Sequence, residues 1–506
     1  MTTEPPEIHR MIPTQGSASH LRREISLLGL VATAVAAMVG VGINILPFMV
    51  QKSQPGIGSW VPLAYVVAAV PALAAALCYA ALVSAMPCTG GSYIIVSRGL
   101  NPFAGFIASF SQWFGLSMAM GVVAYFLVPV IRDLLAVAGF SGLAARLDLM
   151  LPRLWVSLLS IWLAWVVNLV GIRAYERAVV FMAAVTIVAP MIMTVAGLLN
   201  TPQTALPKLQ AHFAVPLSST PMPRLTTAVF LGTAVILFSS FIGFDAVAQA
   251  AGEARHAADL ARAIMIAIGS VTAYYVCFTW SVYHAVSAGY IYQAALIHDI
   301  SAPGLMAPLL PKWLSLTILA SVTMAILKVL PAVMMANSRS LYAFSKDGIL
   351  PQVVSAVSKR FHTPHIALTA TALSATLCVL GCNLARDFFL GVDLLVLSML
   401  VNFLLSAAAL FMLPRVNREL HTQITFMKSR AAQCAISISA IVPLGLLLIV
   451  QIVGDLSSAA PWYLKSTTSW AVVMALACLQ FWRFWTKAGS KNVDVQARIF
   501  SGLPPE

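Results

Sequence analysis

Residues 27–50 read LLGLVATAVAAMVGVGINILPFMV and contain no charged side chain. An apolar run of about 20 residues is long enough to cross the hydrocarbon of a bilayer as a helix. At its centre lies Met38-Val39-Gly40-Val41-Gly42-Ile43. Small residues let membrane helices pack closely, but glycine also weakens a helix. The stretch predicts a first spanning helix that is interrupted at Gly40 and Gly42, with close helix packing as the alternative.

A matching interruption lies in the sixth apolar run, five runs later, at Phe238-Ser239-Ser240-Phe241-Ile242-Gly243-Phe244-Asp245. Secondary carriers built from inverted repeats place broken helices at corresponding positions of their two halves, with the substrate between them. Because each interruption opens a set of five runs, we predict a 5+5 inverted repeat. The first repeat covers residues 27–200 and the second covers residues 226–413.

The composition of the chain indicates a bilayer as its solvent. Hydrophobic residues make up 60% and charged residues 9% of the 506 residues, whereas roughly a quarter of a soluble domain is charged. The apolar runs are continuous, unlike the alternating strands of a membrane barrel. The predicted fold class is an all-α polytopic membrane protein with twelve transmembrane helices, the last two (within 431–485) being peripheral. The predicted spans are 27–50, 61–85, 103–130, 154–170, 178–199, 226–251, 264–287, 314–342, 366–385, 388–413, 431–453 and 469–485.

The net charge of +13 is explained by topology. If the N-terminus is cytoplasmic and the chain crosses twelve times, most of the 30 Lys and Arg residues fall on the cytoplasmic side. This excess is typical of cytoplasmic loops. We therefore predict a multi-pass protein of the cell (inner or plasma) membrane, with cytoplasmic tails at 1–26 and 486–506. Its partners are lipid and a small molecule, not nucleic acid, because basic residues do not cluster with interleaved aromatic residues.

Other classes of protein fit the sequence poorly. The seven cysteines form no cluster with metal-ligand spacing and the nine histidines are scattered, so we predict no metal, no cofactor and no enzyme activity. Rings of charge such as those that line many ion channels are not evident either. Nothing in the sequence indicates an oligomeric state.

Several short stretches, in order along residues 27–385, resemble motifs of the amino acid–polyamine–organocation (APC) transporters, which share the leucine-transporter fold. Each stretch alone is weak, whereas the ordered set is specific. The stretches are Gly40-Val41-Gly42-Ile43 with Leu46-Pro47, Pro87-Cys88-Thr89-Gly90-Gly91-Ser92-Tyr93 with Gly105-Phe106, Asn168-Leu169-Val170-Gly171-Ile172-Arg173, Phe241-Ile242-Gly243-Phe244-Asp245 with Gly252-Glu253-Ala254-Arg255, and Ser338-Arg339-Ser340-Leu341-Tyr342-Ala343 with Lys346-Asp347-Gly348-Ile349-Leu350-Pro351 and Thr363-Pro364.

The resemblance and the chemistry of helix ends together imply a substrate site. An amino acid that leaves water needs a partner for each of its charges. Free amides at the start of a half-helix attract a carboxylate, and free carbonyls at the end of another accept from an ammonium. The predicted carboxylate site comprises Val39, Gly40, Val41 and Gly42. The predicted amine site comprises Phe238, Ser239, Ser240, Phe241 and Ile242.

Polar residues inside the other spans supply further candidates. Gln112 is a pocket candidate, with a simple helix–helix hydrogen bond as the alternative. Asp245, Lys328 and Asp393 are ionisable and lie within spans, where charge is costly unless it has a partner or a function. For Asp245 we consider a coupled proton, a cationic substrate group or a structural acid, and for Asp393 we favour an interfacial or packing role.

Lys328 is a candidate for a fixed cation. Many sodium-independent APC members have a lysine in their fifth helix, and the resemblance places that position at Thr186 of this chain. The ammonium of Lys328 would replace a sodium ion or carry the coupled proton. The alternative without a transport role is a lysine whose side chain extends to the membrane–water interface.

We therefore expect a secondary active transporter of amino acids that works by alternating access. We expect it to be sodium-independent, and either proton-coupled or an exchanger. The alternative is a polyamine or other organic-cation carrier of the same fold. By analogy with the family, helices 1, 2, 6 and 7 would rock against helices 3, 4, 8 and 9.

Overall fold

The computed structural model describes residues 26–86, 91–170, 188–213, 222–245, 257–358, 361 and 363–490. In this part of the chain the regular elements are helices. They are α1 (Leu27–Met38), α2 (Val41–Ser53), α3 (Val61–Ala85), α4 (Gly91–Gly99), α5 (Pro102–Ala138), α6 (Ser141–Arg146), α7 (Met150–Val170), α8 (Val188–Leu199), α9 (Pro202–Phe213), α10 (Thr227–Phe238), α11 (Ala257–Ala285), α12 (Ala288–Ile297), α13 (Ala302–Met306), α14 (Lys312–Lys346), α15 (His365–Ala385), α16 (Phe389–Val416), α17 (Arg418–Thr422), α18 (Arg430–Ser457) and α19 (Ser466–Ser490).

Within these described ranges, nine helices are long and apolar enough to cross a membrane, the broken pair α1–α2 counting as one. Two shorter apolar helices, α8 and α10 with its following turn, lie at the predicted spans 178–199 and 226–251. The twelfth predicted span lies on α19. The all-helical prediction is therefore confirmed, while the count of twelve spans and the inverted repeat stay predictions.

The outer surface of the helix bundle carries many exposed leucine and valine side chains, more than is usual for a protein surrounded by water. Leu159 on α7, Leu377 on α15 and Val442 on α18 are each about two-thirds exposed, at 67%, 67% and 65%. Large exposed apolar surfaces of this kind face other proteins or a membrane. Because they lie on helices of spanning length, they indicate contact with lipid, as expected for a multi-pass membrane protein.

The spanning helices pack in two groups. Helix α11 packs on α1 and α3, and α3 also packs on α10, whereas helices α5, α7, α14, α15 and α16 form a second group around α5; α3 and α10 meet this second group at α16. Glycines on α5 allow this central position. A Cβ atom at Gly115 would lie 2.6 Å from the Cβ of Ser398 on α16, and one at Gly121 would lie 2.5 Å from the Cβ of Cys378 on α15. Such close approach is available only to glycine.

Side-chain hydrogen bonds fasten the second group across its helix contacts. The Nδ2 atom of Asn337 on α14 donates to the carbonyl of Trp113 on α5 at 2.9 Å. The Nδ2 atom of Asn168 on α7 donates to the carbonyl of Pro331 on α14 at 2.9 Å. Since buried polar groups need partners, these bonds fix which faces of the helices meet and hold the group together as a frame.

One helix is longer than the sequence indicated. The third span was expected to end at residue 130, but α5 continues to Ala138. Its extra turns carry Arg132 and Asp133, both buried, whose guanidinium and carboxylate form an ion pair at 2.7 Å. Arg132 also bonds Asp148, and Asp133 accepts from the hydroxyl of Ser301 at 2.9 Å. Because the charges satisfy each other, the helix continues past the apolar run and ties to the connection between α12 and α13.

Candidate functional site

The first spanning helix is broken where its glycines predicted. Helix α1 ends at Met38, Val39 is extended, and α2 begins at Val41. The Nδ2 atom of Asn44 donates back to the carbonyl of Gly40 at 3.2 Å. The first amides of α2 have no carbonyl partner inside their own helix. They therefore present partial positive charge at the break, while the last carbonyls of α1 have no amide partner in their own helix.

The second break follows α10. A short 3₁₀ turn over Ser239–Phe241 is followed by extended Ile242 and by Gly243 with a φ of 130°. A Cβ atom on Gly243 would lie 2.9 Å from both the carbonyl carbon and the oxygen of Ala37. Glycine is needed at this position for its positive φ and for the close approach to α1. The two helix breaks therefore lie against each other.

Direct contact between the breaks is seen at Gly42. A Cβ atom on Gly42 would lie 3.3 Å from the Oγ atom of Ser240, whereas none of the described heavy atoms lies within 4 Å of a Cβ on Gly40. Gly42 thus faces the other broken helix and Gly40 faces open space. A side chain at Gly42 would push the breaks apart, while one at Gly40 would extend into the space beside them.

The predicted serine ligands already have partners inside the protein. The hydroxyl of Ser239 donates to the carbonyl of Ile236 at 2.6 Å. The hydroxyl of Ser240 pairs with that of Tyr65 on α3 at 3.3 Å. Phe238 and Phe241 are fully buried, and Val39 is buried at the end of α1. In this arrangement backbone groups are the freer ligands, which agrees with a site built on helix ends.

Two tyrosines that sequence reasoning did not single out complete the site. The hydroxyl of Tyr275 on α11 lies 2.8 Å from the carbonyl oxygen of Met38 and 3.0 Å from that of Ser240. The rings of Tyr65 and Tyr275 are 5.1 Å apart, and each packs near Phe241. Both tyrosines occur in ordinary apolar spans. A hydroxyl within such a span is the one feature that would have marked them.

Asp245 and Gln112 were predicted separately, and the structure places them in contact. The Nε2 atom of Gln112 on α5 donates to Oδ2 of Asp245 at 2.6 Å, and both side chains are buried. This is the helix–helix hydrogen bond considered for Gln112. The bond joins the end of the second break to the frame around α5, so Asp245 lies at the boundary of the two helix groups.

The remaining predicted residues lie elsewhere. Lys328 is half-buried near the middle of α14. Thr186 lies outside the described residues. Asp393 lies in the first turns of α16 and lines a cavity of about 930 Å³ between α10, α16 and α18, together with Asp387 and Asp455. That cavity contains none of the residues predicted to bind substrate.

Two of the stretches that carry the family resemblance meet at one end of the bundle. The hydroxyl of Tyr93 on α4 donates to Oδ2 of Asp347, just after α14, at 2.6 Å. Burial raises the pKa of the Asp347 carboxyl, an effect that the hydrogen bond from Tyr93 and the nearby charge of Arg98 oppose. The contact explains why an aromatic hydroxyl and an acid occur in these two stretches.

Comparison with known proteins agrees with this architecture. The family model described as amino acid permease matches residues 25–481. The vacuolar cationic amino acid transporter 2 of Arabidopsis thaliana is 27% identical over 371 residues, which are 71% of this chain and 55% of that protein. The branched-chain amino acid permease BcaP of Bacillus subtilis is 24% identical over 381 residues, which are 71% of this chain and 75% of that protein. The chain thus spans about half of the Arabidopsis relative.

The family match covers most of the chain, including both helix breaks and both helix groups. It confirms the resemblance to APC transporters that the ordered stretches indicated. The family and the matched relatives are transporters and not enzymes. This chain is therefore a member of the amino acid permease family.

Proposed function

We propose that the protein carries amino acids across a membrane as a secondary transporter. The observation that carries the proposal is the contact between the two breaks at Gly42 and Ser240. Free amides at the start of α2 lie near the carbonyls that end α1 and follow α10, of which those of Met38 and Ser240 lie within hydrogen-bond distance of the Tyr275 hydroxyl. One amino acid, with its carboxylate and ammonium separated by a single carbon, fits such a pair of opposite partial charges.

The names of the relatives support this choice of substrate. One relative is named for cationic and another for branched-chain amino acids. Their named substrates share the ammonium and the carboxylate but differ in the charge of the side chain. Recognition by backbone groups at helix ends uses the shared part. We therefore propose that residues 39–42 and 238–242 bind the ammonium and carboxylate of the substrate. Other residues around the site would contact its side chain.

Alternating access is the proposed mechanism. Helices α1, α3, α10 and α11 would rock against α5, α7, α14 and α15. The packing of α7, α14 and α15 around α5, and of α1 and α3 on α11, supports this division, as do the hydrogen bonds that fasten the second group. The bond between Gln112 and Asp245 crosses from one group to the other, so it is a contact that such a movement has to change.

Coupling is proposed to be independent of sodium, with a proton or a second substrate driving transport. Asp245 at the boundary between the groups is the candidate proton carrier, and Lys328 the candidate substitute for sodium. An ammonium at Lys328 supplies fixed positive charge. Many sodium-independent APC members have a lysine in their fifth helix, and the resemblance places that position at Thr186. The usual lysine is therefore absent, and Lys328 is the candidate that replaces its charge.

A polyamine or other organic cation is the second candidate substrate. Asp245 favours it, because a buried carboxylate beside the breaks provides a partner for an amine without requiring a substrate carboxylate. The protein is proposed to act in the cell membrane with both termini in the cytoplasm, from the excess of Lys and Arg on that side.

Uptake into reconstituted vesicles tests the proposal. Purified protein is first screened by thermal unfolding against amino acids and against amines, since a ligand that prefers the folded state raises its apparent stability. Stabilising compounds are then offered to vesicles with and without sodium. Saturable uptake of an amino acid without sodium is expected. Uptake of amines that lack a carboxylate, with none of amino acids, would favour the second candidate.

A further inference from the structure

The hydroxyl of Tyr275 lies at the point where both broken helices end. It is 2.8 Å from the carbonyl oxygen of Met38, the last residue of α1, and 3.0 Å from that of Ser240 after α10. Tyr275 is fully buried. Outside the helices' own bonds, no backbone amide of the described residues donates to either carbonyl. The phenol has a single proton, which is therefore shared between two buried backbone acceptors from different helices, both within hydrogen-bond distance of it.

Helix breaks create such acceptors and leave them without partners. A helix that stops inside a bundle loses the amides that its last carbonyls would have used. Leaving a buried acceptor unsatisfied is costly, and more so where water is excluded. A donor from a neighbouring helix that shares its proton between both carbonyls reduces this cost only while the two ends stay together.

We propose that Tyr275 is the positioning residue that holds the two helix breaks at a fixed spacing. The ends of α1 and α10 stay together because one hydroxyl on α11 lies within hydrogen-bond distance of a carbonyl of each and shares its proton between them. Helix α11 packs directly on α1 and is joined to α10 through α3, so the hydroxyl moves with the breaks. Resting on the proposed transport function, this spacing sets the distance between the amides of α2 and the carbonyls beside Ser240, and so the fit of an amino acid.

The neighbouring residue supplies a matched control. Tyr274 is also on α11, and its hydroxyl is buried but has no hydrogen-bond partner in the described structure. Its ring packs on that of Phe278 at 5.9 Å. Tyr275→Phe and Tyr274→Phe each remove one oxygen and keep the ring. The first removes a shared donor, and the second removes a group that makes no bond.

Hydrogen exchange followed by mass spectrometry gives a readout that requires no substrate. Peptides that cover residues 38–44 and 239–245 are compared in the wild type and in both variants. Tyr275→Phe is expected to speed exchange in both peptides about tenfold, since loss of a donor to buried acceptors changes local opening by that order. Tyr274→Phe is expected to leave them unchanged.

Transport kinetics give the second readout. In vesicles, Tyr275→Phe is expected to raise KM for the transported amino acid about tenfold, and Tyr274→Phe to leave KM as in the wild type. A residue that only stabilised the fold would lower the amount of active protein and leave KM unchanged. Unchanged KM or unchanged exchange in Tyr275→Phe, or equal effects in the two variants, overturns the proposal. If the wild type transports no amino acid, the proposed function fails, and hydrogen exchange alone decides the role of Tyr275.

Discussion

Replacing Gly42 with leucine places a branched side chain where the two helix breaks meet. The first added atom, Cβ, would lie 3.3 Å from Oγ of Ser240, 3.5 Å from Cδ1 of Leu46 and 3.9 Å from Cα of Ser240. The remaining leucine carbons extend further, so α10 has to move away from α2. Overpacking of this kind costs about 1–3 kcal/mol. If this cost destabilises the arrangement that binds substrate, the affinity for the amino acid drops about 5- to 150-fold.

The assay is equilibrium binding by the purified protein, together with KM in vesicles. Gly445→Leu on α18, away from both breaks, is the matched control, because a Cβ on Gly445 meets no described heavy atom within 4 Å. Its affinity is expected to stay near that of the wild type. Membrane expression of Gly42→Leu should remain close to normal, since the contact is local.

Substitutions at Gly42 and Ser240, alone and combined, test whether these two residues interact. Gly42→Ala should weaken binding less than Gly42→Leu, and Ser240→Ala should partly restore Gly42→Ala because it removes the nearest atom, Oγ. Residues in contact show such coupling in double-mutant cycles. Wild-type affinity in Gly42→Leu, or simple additivity of Gly42→Ala and Ser240→Ala, would refute the assignment of this contact to the substrate site.

Three further predictions follow from other parts of the molecule. Lys328→Ala should lose uptake even when sodium is supplied, because removing an ammonium does not create the oxygen ligands that a metal cation needs; full activity of this variant, or strict sodium dependence of the wild type, would contradict the role of Lys328. Asp133→Ala should lower the free energy of unfolding by about 3 kcal/mol, because it leaves the buried guanidinium of Arg132 without its nearest counter-charge. Thermal or denaturant unfolding measures this loss, and a loss below about 1 kcal/mol would show that Asp148 alone neutralises Arg132. A cysteine at exposed Lys208 should react with impermeant thiol reagents from outside and one at exposed Lys428 from the cytoplasm, and the opposite pattern would reverse the predicted topology.

The sequence by itself determined the class of the protein and the places where its helices break. Uncharged runs of spanning length leave few alternatives to a helical membrane protein, because the backbone must satisfy its own hydrogen bonds in lipid. Glycines at positions 40 and 42 marked the first break. The serines before Gly243 marked the second. These are local properties, since chain length, polarity and backbone freedom can be read without knowing any neighbour.

Only the tertiary structure decided which groups meet at those breaks. Gln112 and Asp245 are separated by 133 residues and join in one hydrogen bond, whereas the sequence offered each as a separate candidate. Apart from its hydroxyl, Tyr275 carried no signal in its own span, yet that hydroxyl reaches the carbonyls of Met38 and Ser240 at the two helix breaks. Gly42 proved to face Ser240 rather than open space. Such partners depend on the rotation and depth of packed helices, which many side chains from distant parts of the chain fix together.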